Sequence, residues 1–296
     1  MSNIIDEFIN DNKILNRVKV EDYLSVYLEL RPCSFFTIPA ELPNANEIGR
    51  KIDEECRQDL ILIMGTRDLG LRGEMIIKLR NKIRKLMKKY VFKSEIFKAH
   101  ERWAKILDLK MKIEEVRPSI YEVFLYRDSS IGKRLKKLFK IRHDIRKAIL
   151  RLKPLTLPPS LLVYPEELSK IYVTELGELL GYPKCCIERY AEDRNSNIYV
   201  EERASKQIRE LKLSGGSPNI YAYFVNGFIP CSPTCSNAIA KGKEIYEALN
   251  KLNPKAGEFY LKCLKSNMNI VENYPQLISK YRREIDSRAK SLLSFM

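Results

Sequence analysis

The segment from Arg72 to Lys153 carries a charge that constrains the fold more than any other feature of the chain. It contains 26 Lys and Arg residues against 9 Asp and Glu residues, a net charge of +17, whereas the whole chain has a net charge of +15. The rest of the chain therefore sums to −2. So many like charges must remain in solvent or bind an anion. The segment can therefore contribute only its apolar residues to a core.

Apolar residues recur along this segment at the spacing of amphipathic helices. In Ile76–Val91 they are Ile76, Leu79, Ile83, Leu86, Met87 and Tyr90. In a second run, from about Ser130 as N-cap, they are Leu135, Leu138, Ile141, Ile145, Ile149 and Leu152. Steps of three and four residues place each set on one side of a helix. We predict a basic helical hairpin or small bundle, with a further helical segment carrying Trp103, broken near Pro118, between the two runs.

The polar faces of these two predicted helices carry almost only positive charge. A solvated face is the simple alternative, but like charges one helical turn apart destabilise a helix, which favours a bound polyanion. We predict nucleic-acid binding, with RNA as the target, and no membrane binding, because the apolar stripes are needed for a core. The predicted nucleic-acid-binding residues are Lys78, Arg80, Lys82, Arg84, Lys85, Lys88, Lys89, Lys133, Arg134, Lys136, Lys137, Lys140, Arg142, Arg146, Lys147 and Arg151.

The composition is that of a folded protein, with 45% hydrophobic and 31% charged residues. Three prolines in Lys153–Pro159 predict a linker. We predict a mainly α fold with an N-terminal helical segment at 1–71, the basic helical block at 72–153 and a mostly helical cysteine-motif domain at 160–296. The aromatic residues of Asn219–Ile229 predict a small strand or extended segment there. No signal-peptide pattern is visible, which predicts a cytoplasmic protein.

Two pairs of cysteines follow the predicted linker, each beside a proline. Cys185 and Cys186 come directly after Pro183 and Lys184, and Pro183 suits the first turn of a helix. Cys231 and Cys235 surround the sequence Ser-Pro-Thr at 232–234, which predicts a helix that begins there and runs to about residue 252. Both pairs are thus predicted at helix N-termini, where the helix dipole stabilises thiolates.

Four interpretations of these cysteines remain open from the residues alone. All four could ligate zinc or an iron–sulfur cluster, although C-C…C-x-x-x-C is not the usual zinc spacing. They could form one or two disulfides, since the Lys, Arg, Glu, Ile and Tyr usage is typical of a thermophile. They could be buried thiols, or one of them, Cys235 or Cys186, could be reactive. The isolated cysteines, predicted to be core residues, are Cys33, Cys56 and Cys263.

The two cysteine motifs also carry a resemblance to a known family. GYPKCC at 181–186 and FIPCSPTC at 228–235 resemble the motifs of an archaeal uncharacterised family, domain of unknown function 483. The resemblance extends over about Thr174–Leu249 and does not include the basic block. It implies that the four cysteines act as one unit, and it implies no reaction.

Catalytic signatures are absent from the sequence. It contains no phosphate-binding loop, dinucleotide-binding glycine motif, HExxH zinc motif or GxSxG nucleophile motif. We therefore predict a non-catalytic RNA-binding protein, associated with the ribosome or another structured RNA. Two alternatives stay open: a nucleic-acid-modifying enzyme with a cysteine-ligated zinc or iron–sulfur centre, and a protein–protein adaptor.

Overall fold

Helices make up most of the chain that the computed structural model describes, namely residues 2–152, 164–281 and 283. The predicted mainly α fold is confirmed. The proline-containing linker predicted at Lys153–Pro159 lies outside the described residues. Within the described ranges, no helix has both the length and the apolar character needed to cross a membrane.

The described residues form α-helices, three strands and short helical turns of other types. The α-helices are α1 (Ser2–Asn10), α2 (Leu24–Tyr27), α3 (Ala45–Gly65), α4 (Leu69–Met87), α5 (Glu95–Ile106), α6 (Ser129–Leu152), α7 (Lys170–Leu179), α8 (Lys184–Asn195), α9 (Val200–Leu213), α10 (Ser236–Leu252) and α11 (Pro254–Glu272). The strands are β1 (Cys33–Ile38), β2 (Lys110–Arg117) and β3 (Ile120–Tyr126). The π-helical turns are Val18–Tyr23 and Lys88–Phe92, and the 3-10 helices are Pro165–Leu168 and Ile220–Tyr223.

The first of two compact units contains α1, α3, α4, α5 and most of the sheet. It comprises Met1–Val18, Phe35–Phe124 and Gln276–Met296. Its strands are ordered β1-β3-β2, so the apolar strand β3 is central. The short connection between α3 and α4 makes them neighbours, and Asp59 of α3 pairs with Lys82 of α4. The helical hairpin that contains α4 is therefore formed with α3.

The second unit comprises Lys19–Ser34 and Leu125–Pro275 and contains α2 and α6 to α11. Large aromatic side chains fill its core, and the fully buried ones include Tyr172, Tyr223, Phe224 and Tyr260. The hydroxyl of Tyr260 donates a hydrogen bond to the carbonyl oxygen of Phe224 at 2.7 Å, so α11 is tied to the loop before the cysteine motif. The basic helix α6 belongs to this unit, whereas α4 belongs to the first. The domain ranges predicted from charge and composition stay a prediction.

Two local predictions of secondary structure are wrong. Asn219–Ile229, predicted as a strand or extended segment, contains the 3-10 helix Ile220–Tyr223. Its alternating aromatic residues are buried among helices and so do not form the face of a sheet. The segment between the two basic helices holds α5, as expected around Trp103, but the residues that follow form strands β2 and β3. Pro118 lies in the turn between these strands and does not break a helix.

Gly242 allows the close approach of α10 to the 3-10 helix at 220–223. A Cβ atom at this position would overlap the carbonyl oxygen of Tyr221, which is backbone and cannot rotate away. We expect Gly242→Ala to lower the free energy of unfolding by about 2 to 3 kcal/mol, measured by urea denaturation. The control is Gly49→Ala in α3, where an added Cβ meets nothing within 4 Å and should cost nothing. Equal midpoints for the two variants would contradict the close approach.

Candidate metal centre

Four cysteine side chains converge within the second unit. The Sγ atoms of Cys185, Cys186, Cys231 and Cys235 all lie within 4.8 Å of one another. The Sγ of Cys235 is 3.7 Å from that of Cys185 and 3.7 Å from that of Cys186, and the sulfurs of Cys185 and Cys186 are 3.9 Å apart. No histidine or carboxylate of the described residues joins this group. The two sequence motifs therefore form a single four-thiol cluster.

A tight turn between α7 and α8 places the first pair of cysteines. Gly181 adopts a φ of +71°, the left-handed conformation that costs glycine no steric penalty. The sequence predicts Pro183 in the first turn of a helix. In the structure Pro183 is the N-cap of α8, one position before that turn. Cys185 and Cys186 therefore lie in the first turn of α8, as predicted, and the Cys186 N–H donates to the carbonyl oxygen of Pro183 at 2.9 Å.

The loop before α10 places the second pair of cysteines. The predicted helix start at Ser232 is wrong, because α10 begins at Ser236 and Cys235 is its N-cap. Ser232 and Pro233 instead form a turn in which the Cys235 N–H donates to the Ser232 carbonyl oxygen at 3.2 Å. This turn lets Cys231 and Cys235 reach one cluster from a loop rather than from one helix face.

Two hydrogen-bond donors outside the thiols contact the sulfurs. The backbone N–H of Cys231 donates to the Sγ of Cys186 at 3.4 Å, and the side-chain amide of Asn237 donates to the Sγ of Cys185 at 3.4 Å. Sequence reasoning missed Asn237. The only signal for it was its position two residues after Cys235, in the first turn of α10, where an exposed asparagine is common.

The pKa values of the thiols follow from burial and from these hydrogen bonds. Partial burial raises the pKa of Cys185, but hydrogen bonds from Asn237 and the neighbouring thiols outweigh it and hold the pKa below its ordinary value. Desolvation raises the pKa of Cys231 to about 11 and raises the pKa of Cys186 well above its ordinary value. The thiols of Cys186 and Cys231 are therefore protonated at neutral pH, and a cation must displace their protons to bind.

The distances between the sulfurs match a single tetrahedral ion. Zinc–sulfur bonds of about 2.3 Å place the four sulfurs of a tetrahedral site roughly 3.8 Å apart. The three distances from 3.7 to 3.9 Å agree with that spacing, and they include the adjacent Cys185 and Cys186. A disulfide joins its sulfurs at about 2.05 Å, and all four residues are free thiols. The arrangement could therefore hold a metal ion.

The three remaining cysteines are buried, as predicted, and lie outside the cluster. They are Cys33, Cys56 and Cys263.

Acids near the cysteine motifs in sequence interact with basic side chains. Arg134 donates to Glu175 at 2.7 Å and to Glu178 at 3.1 Å, and Lys184 lies 3.8 Å from Glu188.

The basic residues predicted on α6 divide into two groups. Five lysines are exposed and form no ion pair with a described residue: Lys133, Lys136, Lys137, Lys140 and Lys147. Two arginines of α6, Arg142 and Arg146, contact interior side chains. Arg142 was predicted on the polar face, which is wrong: it is only 3% exposed and donates to the hydroxyl of Tyr172 at 2.9 Å. Arg146 donates to the buried Glu166 at 2.9 Å. The side chain of Arg151 lies outside the described residues.

The basic residues predicted on the first basic helix lie on α4 and on the π-helical turn that follows it; most are exposed, and some of their charges are compensated. Three of them pair with acids of the same unit: Lys82 with Asp59, Arg84 with Glu115, and Lys89 with Glu55. Four form no ion pair with a described residue: Lys78, Arg80, Lys85 and Lys88. The apolar stripe of α4 is only partly buried, since Ile76 is exposed while Leu86 and Met87 are buried.

Comparison with protein families finds a match over the second half of the basic region and the cysteine motifs. A family model described as a protein of unknown function, DUF483, matches residues 105–255, about half of the chain. The matched region contains α6 and both cysteine motifs, and it does not contain α4. It is wider than the resemblance of the motifs, which covers about Thr174–Leu249.

Relatives occur in two methanogenic archaea. An uncharacterized protein of Methanocaldococcus jannaschii is 39% identical over 69 residues, which is 23% of this chain and 36% of the relative. An uncharacterized protein of Methanothermobacter thermautotrophicus is 36% identical over 63 residues, 21% of this chain and 33% of the relative. The chain thus spans about a third of the length of these relatives. The comparison with solved structures gives no match.

Proposed function

The chain belongs to the DUF483 family, and we propose that it is a non-catalytic RNA-binding protein whose four-thiol cluster holds one zinc ion. The observation that carries RNA binding is the row of exposed lysines on α6, none of which forms an ion pair with an acid of the described residues. The target we propose is a structured RNA such as that of the ribosome, in which phosphates are closely spaced.

The lysine row lies along one side of α6. Successive lysines of the row are one, three or seven residues apart, and these steps keep them on one face of the helix. The row from Lys133 to Lys147 is about 21 Å long, because an α-helix rises 1.5 Å per residue. Lysine is a compact point charge on a flexible stem, and it binds phosphates through that charge, without the planar bidentate geometry of arginine. On α6, Arg134 and Arg146 pair with acids of the same unit, whereas the five lysines extend into solvent.

The row on α6 supports the proposal better than the basic residues of α4 do. Three of the seven predicted positions on α4 and the following π-helical turn are paired with acids, whereas none of the five exposed lysines on α6 pairs with an acid of the described residues. The family match also includes α6 and not α4. The exposed bases of α4 are therefore a second, weaker contribution to polyanion binding.

The spacing of the sulfurs favours zinc over an iron–sulfur cluster. In a four-iron cluster each thiolate binds a different iron, so the cysteine sulfurs lie farther apart than they do around one ion. The 4.8 Å limit on the separations in the cluster fits a mononuclear site. A zinc ion bound by four thiolates has no open coordination position, which is typical of structural sites. Catalytic zinc sites keep one position open, so this arrangement disfavours the alternative of a metal-dependent modifying enzyme.

Salt-dependent RNA binding tests the proposed function. The probes are a transfer RNA, as a compact structured RNA, and a DNA duplex of similar length, each titrated with the full chain at increasing salt. We expect the affinity for the RNA to fall by about 100-fold or more between roughly 50 and 200 mM salt, because each neutralised phosphate releases counterions. A flat salt response, or DNA bound as tightly as RNA, would contradict RNA binding.

A further inference from the structure

The loop that carries Cys231 and Cys235 contacts a buried ion pair outside the cluster. Asp193 of α8 is 1% exposed and Arg203 of α9 is 8% exposed. The Nε of Arg203 donates to the Asp193 carboxylate at 2.5 Å, and Arg189 also pairs with this carboxylate, at 3.0 Å. The buried carboxylate therefore fixes the plane of the Arg203 guanidinium.

The other nitrogens of that guanidinium bind the cysteine loop. Nη1 donates to the carbonyl oxygen of Cys231 at 3.2 Å, and Nη2 donates to the carbonyl oxygen of Pro230 at 3.4 Å. Gln207, one turn further along α9, donates to the same Cys231 oxygen at 3.4 Å and accepts from Arg203 Nη1 at 2.5 Å. The guanidinium therefore holds the carbonyl groups on both sides of the Cys231 Cα atom.

Because the peptide bond is planar, the hydrogen bonds from Arg203 to these carbonyl groups also orient a group that contacts the cluster. In a trans peptide the carbonyl and the N–H point in opposite directions. In the peptide between Pro230 and Cys231, Arg203 binds the oxygen while the N–H donates to the Sγ of Cys186 at 3.4 Å. With both flanking peptide planes held, the Cβ direction of Cys231 is set, and only the rotation of its side chain remains free.

From this geometry we propose that Arg203 is a positioning residue for the metal site, oriented by Asp193. It sets the direction of the Cys231 side chain and aims the Cys231 N–H at the sulfur of Cys186. A sulfur that accepts an N–H bond donates less charge to a metal, so Arg203 influences the metal through the backbone without touching it. This inference rests on the proposed metal site.

The test compares Arg203→Gln and Arg203→Lys with Arg209→Gln, a change at an exposed position on the same helix α9. Zinc affinity is measured by competition with a chromophoric chelator, and the thiolate-to-metal charge-transfer band is recorded with cobalt(II) in place of zinc. Loss of an interaction that orients a ligand typically lowers metal affinity by about 10- to 100-fold. We expect that loss in both Arg203 variants, with the cobalt band shifted to lower energy because Cys186 loses its N–H donor.

Arg203→Lys separates positioning from folding. A lysine keeps the positive charge beside Asp193 but cannot bind two carbonyl groups in one plane. We expect its metal-free form to keep a cooperative urea transition, at a midpoint lowered by the lost hydrogen bonds, while its zinc affinity is reduced under conditions in which the protein is fully folded. Wild-type affinity and an unshifted cobalt band in both Arg203 variants would overturn the positioning role and leave the metal site intact. A wild-type protein that binds neither zinc nor cobalt would overturn the metal site itself, and the positioning role with it.

Discussion

Cys235→Ser is expected to abolish zinc binding and to lower the melting temperature by about 10 °C or more. Metal binding to four thiolates contributes directly to folding, and an isolated structural zinc site provides on the order of 10 kcal/mol. Serine is a favourable N-cap, so the substitution leaves the start of α10 intact and removes only the ligand. Metal content is measured on the purified full chain by elemental analysis, and unfolding is followed by circular dichroism.

The matched control for this experiment is Cys263→Ser in α11. Cys263 is also a buried cysteine of the second unit, but it lies outside the cluster. We expect this variant to keep one zinc ion per chain.

Zinc should dissociate from the wild type as the pH falls, because protons compete for the thiolates. Removal of zinc with a chelator should lower the melting temperature of the wild type to that of Cys235→Ser. Iron in place of zinc, or unchanged zinc content in Cys235→Ser, would contradict the proposed centre.

Removing four positive charges from α6 is expected to weaken RNA binding by at least about 100-fold at low salt. The slope of log affinity against log salt should also fall by roughly 3, because each lost phosphate contact removes about 0.7 to 0.9 from the slope. The variant carries lysine-to-glutamine changes at Lys133, Lys136, Lys137 and Lys140. All four side chains are exposed, so the fold should be retained, which the thermal unfolding curve verifies.

A second quadruple variant controls for net charge. It carries lysine-to-glutamine changes at exposed positions of α10 and α11, namely Lys243, Lys251, Lys262 and Lys265. We expect it to bind RNA nearly as tightly as the wild type. Equal losses in the two variants would mean that total charge, and not the row on α6, determines binding. Full RNA affinity in the α6 variant, with a protein complex from native cells that survives nuclease, would favour the adaptor alternative.

The sequence predicted which cysteines form the site better than it predicted the backbone that positions them. Both motifs, and the position of Cys185 and Cys186 in the first turn of a helix, follow from the residues near Pro183. The start of α10 was placed too early, because a Ser-Pro pair suits both an N-cap and a turn. The hydrogen bonds in the loop, including that from Cys235 to Ser232, select the turn.

The basic helices show a similar limit. The apolar spacing predicted α4 and α6, yet it could not tell which arginines would turn toward buried acids. Arg142 fits a polar face by its spacing, but Tyr172 and Glu166 lie beside it in the folded unit, and it is buried. Periodicity is a property of one helix, whereas the partner of a long side chain is supplied by another element that is distant in sequence.

The sequence by itself determined a mainly α chain, the charge of α6 and two cysteine pairs beside prolines, because each depends on neighbouring residues along the chain. Only the tertiary structure decided that the two pairs meet in one cluster. The contact joins positions about 45 residues apart, and it depends on a turn at Gly181, a loop tied to Arg203 and a buried Asp193. No local pattern encodes such a meeting, since it depends on how the helices pack.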